Sequence, residues 1–222
     1  MLPRLLVLVR HATSVCNEEA MLIDAGKQVD FSYKLINTPD QEIQLSLRGI
    51  SEAKRTGEYL KNNFPTFQKV YCSPYSRAIE TMENFNLFIN SSKIIYDWRL
   101  REKQFGHWLH SNAVMAQLYP AEVARKEKEG RCLFRAYPDG ENYHDVDARI
   151  ADFWQELIRK NDQENLLIVS HSGALMSLVK LIDNHDENWI LNWSANAVAN
   201  TSLTVYENVN GQLQLKQYGL KV

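Results

Sequence analysis

The 222-residue chain is 45% hydrophobic with five Trp, ample for the core of one domain. Its 25 Lys and Arg nearly balance 27 Asp and Glu, which argues against a nucleic-acid platform. Three cysteines, Cys16, Cys72 and Cys132, lack metal-type spacing and point to a reduced, cytoplasmic setting.

Leu5–Val9 is an unbroken apolar run, expected to be a strand buried on both faces. It is too short for a signal core or a membrane span, and Arg10 ends it. Without a secretion signal, the sequons at Asn90, Asn192 and Asn200 carry no weight. Arg10 and His11 do not belong in a core, so they should sit at the carboxyl end of that strand, where open α/β sheets place their crevices. Thr13, Ser14 and Asn17 follow within one loop and add short polar groups.

A short helix is expected over Glu18–Ala25. Residues 26–44 then lose periodicity and read as an insertion across the strand tips. Its Phe31, Tyr33 and Lys34 suit either a substrate lid or a packed surface loop. Ser46 is placed to cap a helix carrying Ile50, Ala53, Gly57 and Leu60 at helical spacing, and Phe64-Pro65 stops it.

Val70–Ser73 reads as a second strand, followed by a helix from Ser76. Arg77 falls in the first turn of that helix, where the macrodipole disfavours a cation, so a phosphate is its natural partner. Cys72 and Arg77 form Cys-x4-Arg, one residue short of the Cys-x5-Arg loop of cysteine phosphatases, and that chemistry is rejected. Lys93–Asp97 is a third strand. On spacing alone, Glu102 beyond it is a surface carboxylate paired with Arg101 or Lys103.

Ala113–Glu129 is helical in character with a solvated, charged face. Arg131 and Arg135 serve equally as surface residues or substrate contacts. A turn at Pro138–Glu141 leads into a long helix whose stripe is Val146, Ile150, Phe153, Trp154, Leu157 and Ile158. Leu166–Ser170 repeats the opening pattern, an apolar strand ending in His171-Ser172-Gly173, with a helix from Ala174 whose start offers N–H groups to an anion. Ala199–Glu207 and Gln212–Tyr218 read as an antiparallel hairpin at a sheet edge.

Several of these segments resemble the histidine phosphatase superfamily, which includes the phosphoglycerate mutases. Arg10-His11-Ala12-Thr13-Ser14-Val15-Cys16-Asn17 is similar to its Arg-His-Gly-x-Ser/Thr-x-x-Asn signature, with Ala12 in place of Gly. Leu45, Ser46 and Gly49 resemble its Leu-Thr-x-x-Gly segment, a structural one, with Glu52 in place of Gln. Ser73, Arg77, Ala78 and Thr81 match its Ser-x-x-x-Arg-Ala-x-x-Thr segment. Glu102 with Phe105-Gly106 resembles its acid–base segment, and Pro138-Asp139-Gly140-Glu141-Asn142 its Pro-x-Gly-Glu-Ser turn. His171 stands where the family has its second active-site histidine.

The resemblance implies an α/β fold: a three-layer α/β/α sandwich with a mostly parallel central sheet and an inserted lid region. It implies a single domain over 1–222, with 26–44 and 103–140 as lid or insertion segments. His11 would be the nucleophile and Glu102 the proton donor. Arg10, Arg77 and His171 would hold the phosphate, helped by Ser14, Asn17 and Ser172. No metal or cofactor is implied, and the partner is a small phosphomonoester. The stretch from Glu102 to His171 is short and lacks the paired arginines of a mutase, so a broad-specificity phosphatase of the histidine acid phosphatase type is expected. The alternatives are a phosphoglycerate-type mutase and a catalytically idle phospho-ligand binder, and the intact residue set argues against the idle form.

Overall fold

The computed structural model describes residues 2–87, 93–160 and 163–222; the sequon at Asn90 lies outside them. The strands are β1 (Leu5–Arg10), β2 (Lys69–Cys72), β3 (Ile94–Tyr96), β4 (Asn165–Ser170), β5 (Leu203–Val209) and β6 (Gln212–Leu220). They form one sheet in the order β3-β2-β4-β1-β5-β6. β3, β2, β4 and β1 run parallel, while β5 and β6 add antiparallel at one edge.

The helices are α1 (Val15–Asp24), α2 (Tyr33–Ile36), α3 (Leu47–Asn63), α4 (Ser76–Asn84), α5 (Asn112–Leu118), α6 (Pro120–Leu133), α7 (Tyr143–Lys160), α8 (Ser172–Ile182), α9 (Asn188–Leu191) and α10 (Trp193–Asn196). Alternation along the strands divides the core into two layers. Leu6, Leu8, Leu166 and Ile168 pack with Val146, Ile150, Phe153 and Leu157 of α7 and with α8. Val7, Val9, Leu167 and Val169 face the other way, onto Ala53 and Leu60 of α3 and Ala78 and Met82 of α4. Both faces of β1 and β4 are covered, so these strands are apolar throughout, as doubly covered parallel strands are. The three-layer α/β/α arrangement and its mostly parallel sheet agree with the sequence reading.

The differences have local causes. α1 begins at Val15, three residues earlier than expected, because Ser14 and Asn17 form a capping box. The expected helix over Ala113–Glu129 is two helices: Tyr119 leaves helical geometry and Pro120 starts α6, where its missing N–H costs nothing. α8 starts at Ser172, not Ala174, with His171 as its extended N-cap. β5 starts at Leu203, so 199–202 is a loop leading into the strand. The hairpin turn is Asn210-Gly211 with φ of 53° and 85°, the left-handed pair that a two-residue hairpin favours.

Register sets up the site. Arg10 is paired with Ser170 and Cys72 with Val169, so Ser73, His11 and His171 leave three neighbouring parallel strands at nearly one level. Among the described residues no helix is long and apolar enough to cross a membrane.

Candidate active site

His11 and His171 follow the tips of the adjacent strands β1 and β4, with ring centroids 5.0 Å apart. Both are buried, at 3% and 0% exposure. His11 Nδ1 lies 2.8 Å from the Ala12 carbonyl oxygen, which can only accept, so Nδ1 carries the proton and Nε2 keeps its lone pair. Burial holds the His11 pKa well below the ordinary imidazole value, and the charges of Arg77 and Arg10 push the same way. His171 is lowered well below that value by burial and by Arg77, His11 and Arg10. Its Nε2 is 2.8 Å from Ser73 Oγ.

The loop holding His11 is fixed from several sides. The Ala12 N–H donates to Thr81 Oγ1 at 2.9 Å. Ala12 is absent from the positive-φ residues, so it stands without strain where the resemblance has glycine. Thr13 turns away from the site: its N–H and hydroxyl both donate to Glu52 Oε2, at 3.2 and 2.6 Å. Asn200 donates to the His11 carbonyl at 2.9 Å and to Asn17 Oδ1 at 3.1 Å.

Arg10 and Arg77 bring two guanidinium groups to the strand tips. Arg10 Nη1 donates to the Val198 carbonyl at 2.8 Å, while its Nε is buried without a partner among the described residues. Arg77, 5% exposed, comes from the first turn of α4 and packs on the Tyr75 ring, 5.0 Å from its centroid. The same Tyr75 ring meets His171 edge to face at 5.2 Å. Arg77 Nη1 donates to the Asp40 carbonyl at 2.6 Å and lies 3.0 Å from the half-exposed Asp40 carboxylate.

Glu102 is not the surface ion pair that spacing alone favours. Arg101 turns to Glu141 at 2.6 Å, and Glu102 Oε1 accepts the backbone N–H of Lys103 at 2.8 Å. Burial raises the Glu102 pKa, against the lowering effect of that N–H and of Arg77 and Arg10. A Cβ on Gly173 would lie 2.6 Å from Glu102 Oε1, so only glycine lets the carboxyl approach the start of α8 this closely. Arg149 braces the backbone here, donating to the carbonyls of Arg99 at 2.5 Å and Glu102 at 3.3 Å. Glu141 in turn holds Arg149 at 2.9 Å, giving the Pro138–Glu141 turn its role.

The structure thus gathers Arg10, His11, Arg77, Glu102 and His171 around the strand tips. Ser172 is buried at the start of α8 with its Oγ unpartnered among the described residues. Ser14 and Asn17 are committed to the cap of α1, where Ser14 Oγ donates to Asn17 Oδ1 at 3.1 Å. Sequence reasoning missed Ser73, Tyr75, Asp40, Arg149 and Asn200 as neighbours of these groups. Ser73 and Tyr75 had a signal, since they flank Pro74 between β2 and Arg77; Asn200 had none, because its contact spans 189 residues. Cys72 is buried, with its thiol pKa pushed up by burial, the reverse of an activated thiolate. Arg135 pairs with Asp145 at 2.6 Å on the surface. No group of three or more His, Cys, Asp or Glu among the described residues is arranged to hold a metal ion.

The family model described as histidine phosphatase superfamily (branch 1) matches residues 6–221. Among solved structures, the chain is similar to the alpha-ribazole phosphatase of Shigella flexneri, at TM-score 0.77 and 18% identity over 98% of this chain and 97% of that one. It is also similar to YhfR of Bacillus stearothermophilus, at TM-score 0.75 and 24% identity over 97% and 96%. A third likeness is to the phosphoserine phosphatase of Entamoeba histolytica in complex with 3-phosphoglyceric acid, at TM-score 0.70 and 18% identity over 96% and 95%.

Proposed function

The chain belongs to the histidine phosphatase superfamily (branch 1), and on that premise we propose that it hydrolyses small phosphomonoesters through a phosphohistidine on His11. The observation that carries the reading is the environment of His11, a neutral imidazole with Nδ1 fixed on the Ala12 carbonyl and two arginines nearby. In the first step His11 Nε2 attacks phosphorus and the bond to the ester oxygen breaks. Glu102, whose raised pKa keeps a proton available, protonates the departing alkoxide. In the second step Glu102 takes a proton from water, the water oxygen attacks phosphorus, and the bond to nitrogen breaks to restore His11.

Arg10 and Arg77 offer forked N–H donors to the non-bridging oxygens, a geometry lysine lacks. His171 adds charge when a bound dianion draws a proton onto it, and the N–H groups at Ser172 complete the cradle, while Ser14 and Asn17 hold the cap of α1 beside it. Asp40 must yield its hold on Arg77 for phosphate to take that guanidinium. Residues 26–44 therefore act as a lid. They are tied to the 103–140 segment by Asp30, which meets His110 Nδ1 at 2.6 Å and accepts the Ser111 N–H at 2.7 Å. Two arginines and an imidazolium supply the positive charge that a metal would otherwise bring, so the reaction is metal-independent; the short stretch from Glu102 to His171, without the paired arginines of a mutase, favours a phosphatase.

The test is phosphate release from a panel of phosphomonoesters in EDTA, with the His11→Ala variant alongside. Release that survives EDTA and vanishes in the variant is expected. Release that survives in the variant would overturn the scheme. No release from any ester, together with labelling of His11 by a bisphosphate, would make the protein a mutase.

A further inference from the structure

The carboxyl of Glu102 meets two opposed demands. It needs one fixed orientation to hand a proton to the departing oxygen, yet firm donors on both of its oxygens would favour the anion and strip that proton away. Its own contacts are accordingly sparse. Oε1 accepts the Lys103 N–H at 2.8 Å, and Oε2 meets the Gly173 N–H at a long 3.5 Å. The orientation has to come from the backbone that carries Glu102. Residues 101–111 are irregular chain leading into α5, so no helix or strand ladder supplies it.

That backbone is gripped from outside instead. Ser170 Oγ, at the end of β4 beside His171, donates to the Leu100 carbonyl at 2.6 Å. Arg149 reaches from α7 to the carbonyls of Arg99 and Glu102, at 2.5 and 3.3 Å. Glu141, buried in the turn before α7, accepts the Gln104 N–H at 3.0 Å, and its own N–H donates to the Gln104 carbonyl at 2.8 Å. Arg149 and Glu141 fix each other through a fork, with Nε on Oε1 at 2.9 Å and Nη2 on Oε2 at 3.0 Å.

Glu141 also accepts from Arg101 Nη2 at 2.6 Å. Two guanidinium groups beside Glu102 thus direct their charge to Glu141 and leave the acid free of a side-chain cation. A buried ion pair stabilises a fold weakly, because desolvation offsets most of its attraction. Apart from the fork, the side-chain hydrogen bonds of this pair among the described residues all go to residues 99–104. A pair that served only the turn before α7 would have no call to reach carbonyls on both sides of Arg101.

We infer that Glu141 and Arg149 are positioning residues for the general acid. Together they hold the backbone before and after Glu102, so that its carboxyl meets the leaving oxygen without a donor that would take its proton. The inference rests on the phosphatase reading above.

The experiment measures log kcat/KM against the pKa of the leaving alcohol, over a series of phosphates from alkyl esters to p-nitrophenyl phosphate. In wild type the dependence is shallow, because Glu102 supplies the proton that a poor leaving group needs. Glu141→Gln removes the charge and Arg149→Lys removes the fork, each with little change of shape. Both variants should lose about tenfold or more in kcat/KM on alkyl phosphates, about threefold or less on p-nitrophenyl phosphate, and so steepen the dependence. Damage to the structure alone lowers every ester by one factor and keeps the wild-type slope. That result overturns the inference and leaves the phosphatase reading intact, as does an unchanged rate on every ester. Either variant alone carries the test, and failure of both to fold makes the pair a stability element and also overturns the inference. Wild type that releases phosphate from no ester removes the phosphatase reading, and the positioning role with it.

Discussion

His11 and Glu102 titrate in opposite directions from their ordinary values, and the two displacements define a pH window. His11 must be unprotonated to attack, and its lowered pKa keeps it so well into the acidic range. Glu102 must carry a proton for the first step, and its raised pKa keeps that proton above the ordinary carboxylate range. The kcat/KM profile for an alkyl phosphate should therefore peak on the acid side of neutral. Its acid limb reports His11 and its alkaline limb Glu102. Glu102→Gln should lower kcat/KM for an alkyl phosphate by about 10²–10⁴, the range for a lost general acid. It should cost far less for p-nitrophenyl phosphate, whose leaving group departs without a proton. Equal losses on both esters would contradict the assignment of Glu102 as the acid.

At the scale of elements, the nucleophile loop depends on how closely α3 approaches it. A Cβ on Gly49 would lie 1.9 Å from the Thr13 carbonyl oxygen, an overlap that no rotamer relieves. Gly49→Ala should destabilise the fold by about 3 kcal/mol, or roughly 6–12 °C in Tm for a chain of this size. A melting temperature within 2 °C or so of wild type would show that α3 does not set the position of that loop. The elements that place the site were legible because their signals are local. β1 and β4 show as apolar runs that end in charge, Ser46 as a cap, and Arg77 as a cation at the wrong end of a helix. The short helices α2, α9 and α10 were not foreseen, since four residues carry no period. Glu102 was misplaced by spacing because Arg101, its apparent partner, is claimed by Glu141 from forty residues away. The resemblance to a known family corrected that reading; the residues alone did not.

At the scale of the whole molecule, the site is a burden on folding that pH exposes. His11 and His171 are buried with lowered pKa values, so below about pH 6.5 the unfolded chain binds protons that the folded one does not. Stability then rises with pH through that range and falls on acidification. Between pH 7 and 5.5 the two histidines together should remove about 2 kcal/mol of unfolding free energy, measured by urea titration at each pH. Glu102, with its raised pKa, acts in the opposite sense and offsets part of the loss. Asp30 and Glu52, whose pKa values are lowered, add to the loss only at lower pH, as they become protonated. Stability unchanged across that interval would mean that the histidines are not held neutral in the folded protein. The layered fold followed from the resemblance to the family, whereas the pairing of residues 26–44 with 110–111 and of Asn200 with His11 exists only once the chain has closed on itself.

The central claim is that phosphate passes through His11 before it meets water. The stereochemical course at phosphorus tests this most directly, using an ester made chiral with three oxygen isotopes. Two successive in-line displacements, first by His11 and then by water, give net retention of configuration. Inversion would mean that water attacks the ester directly, and would leave His11 without the role assigned to it.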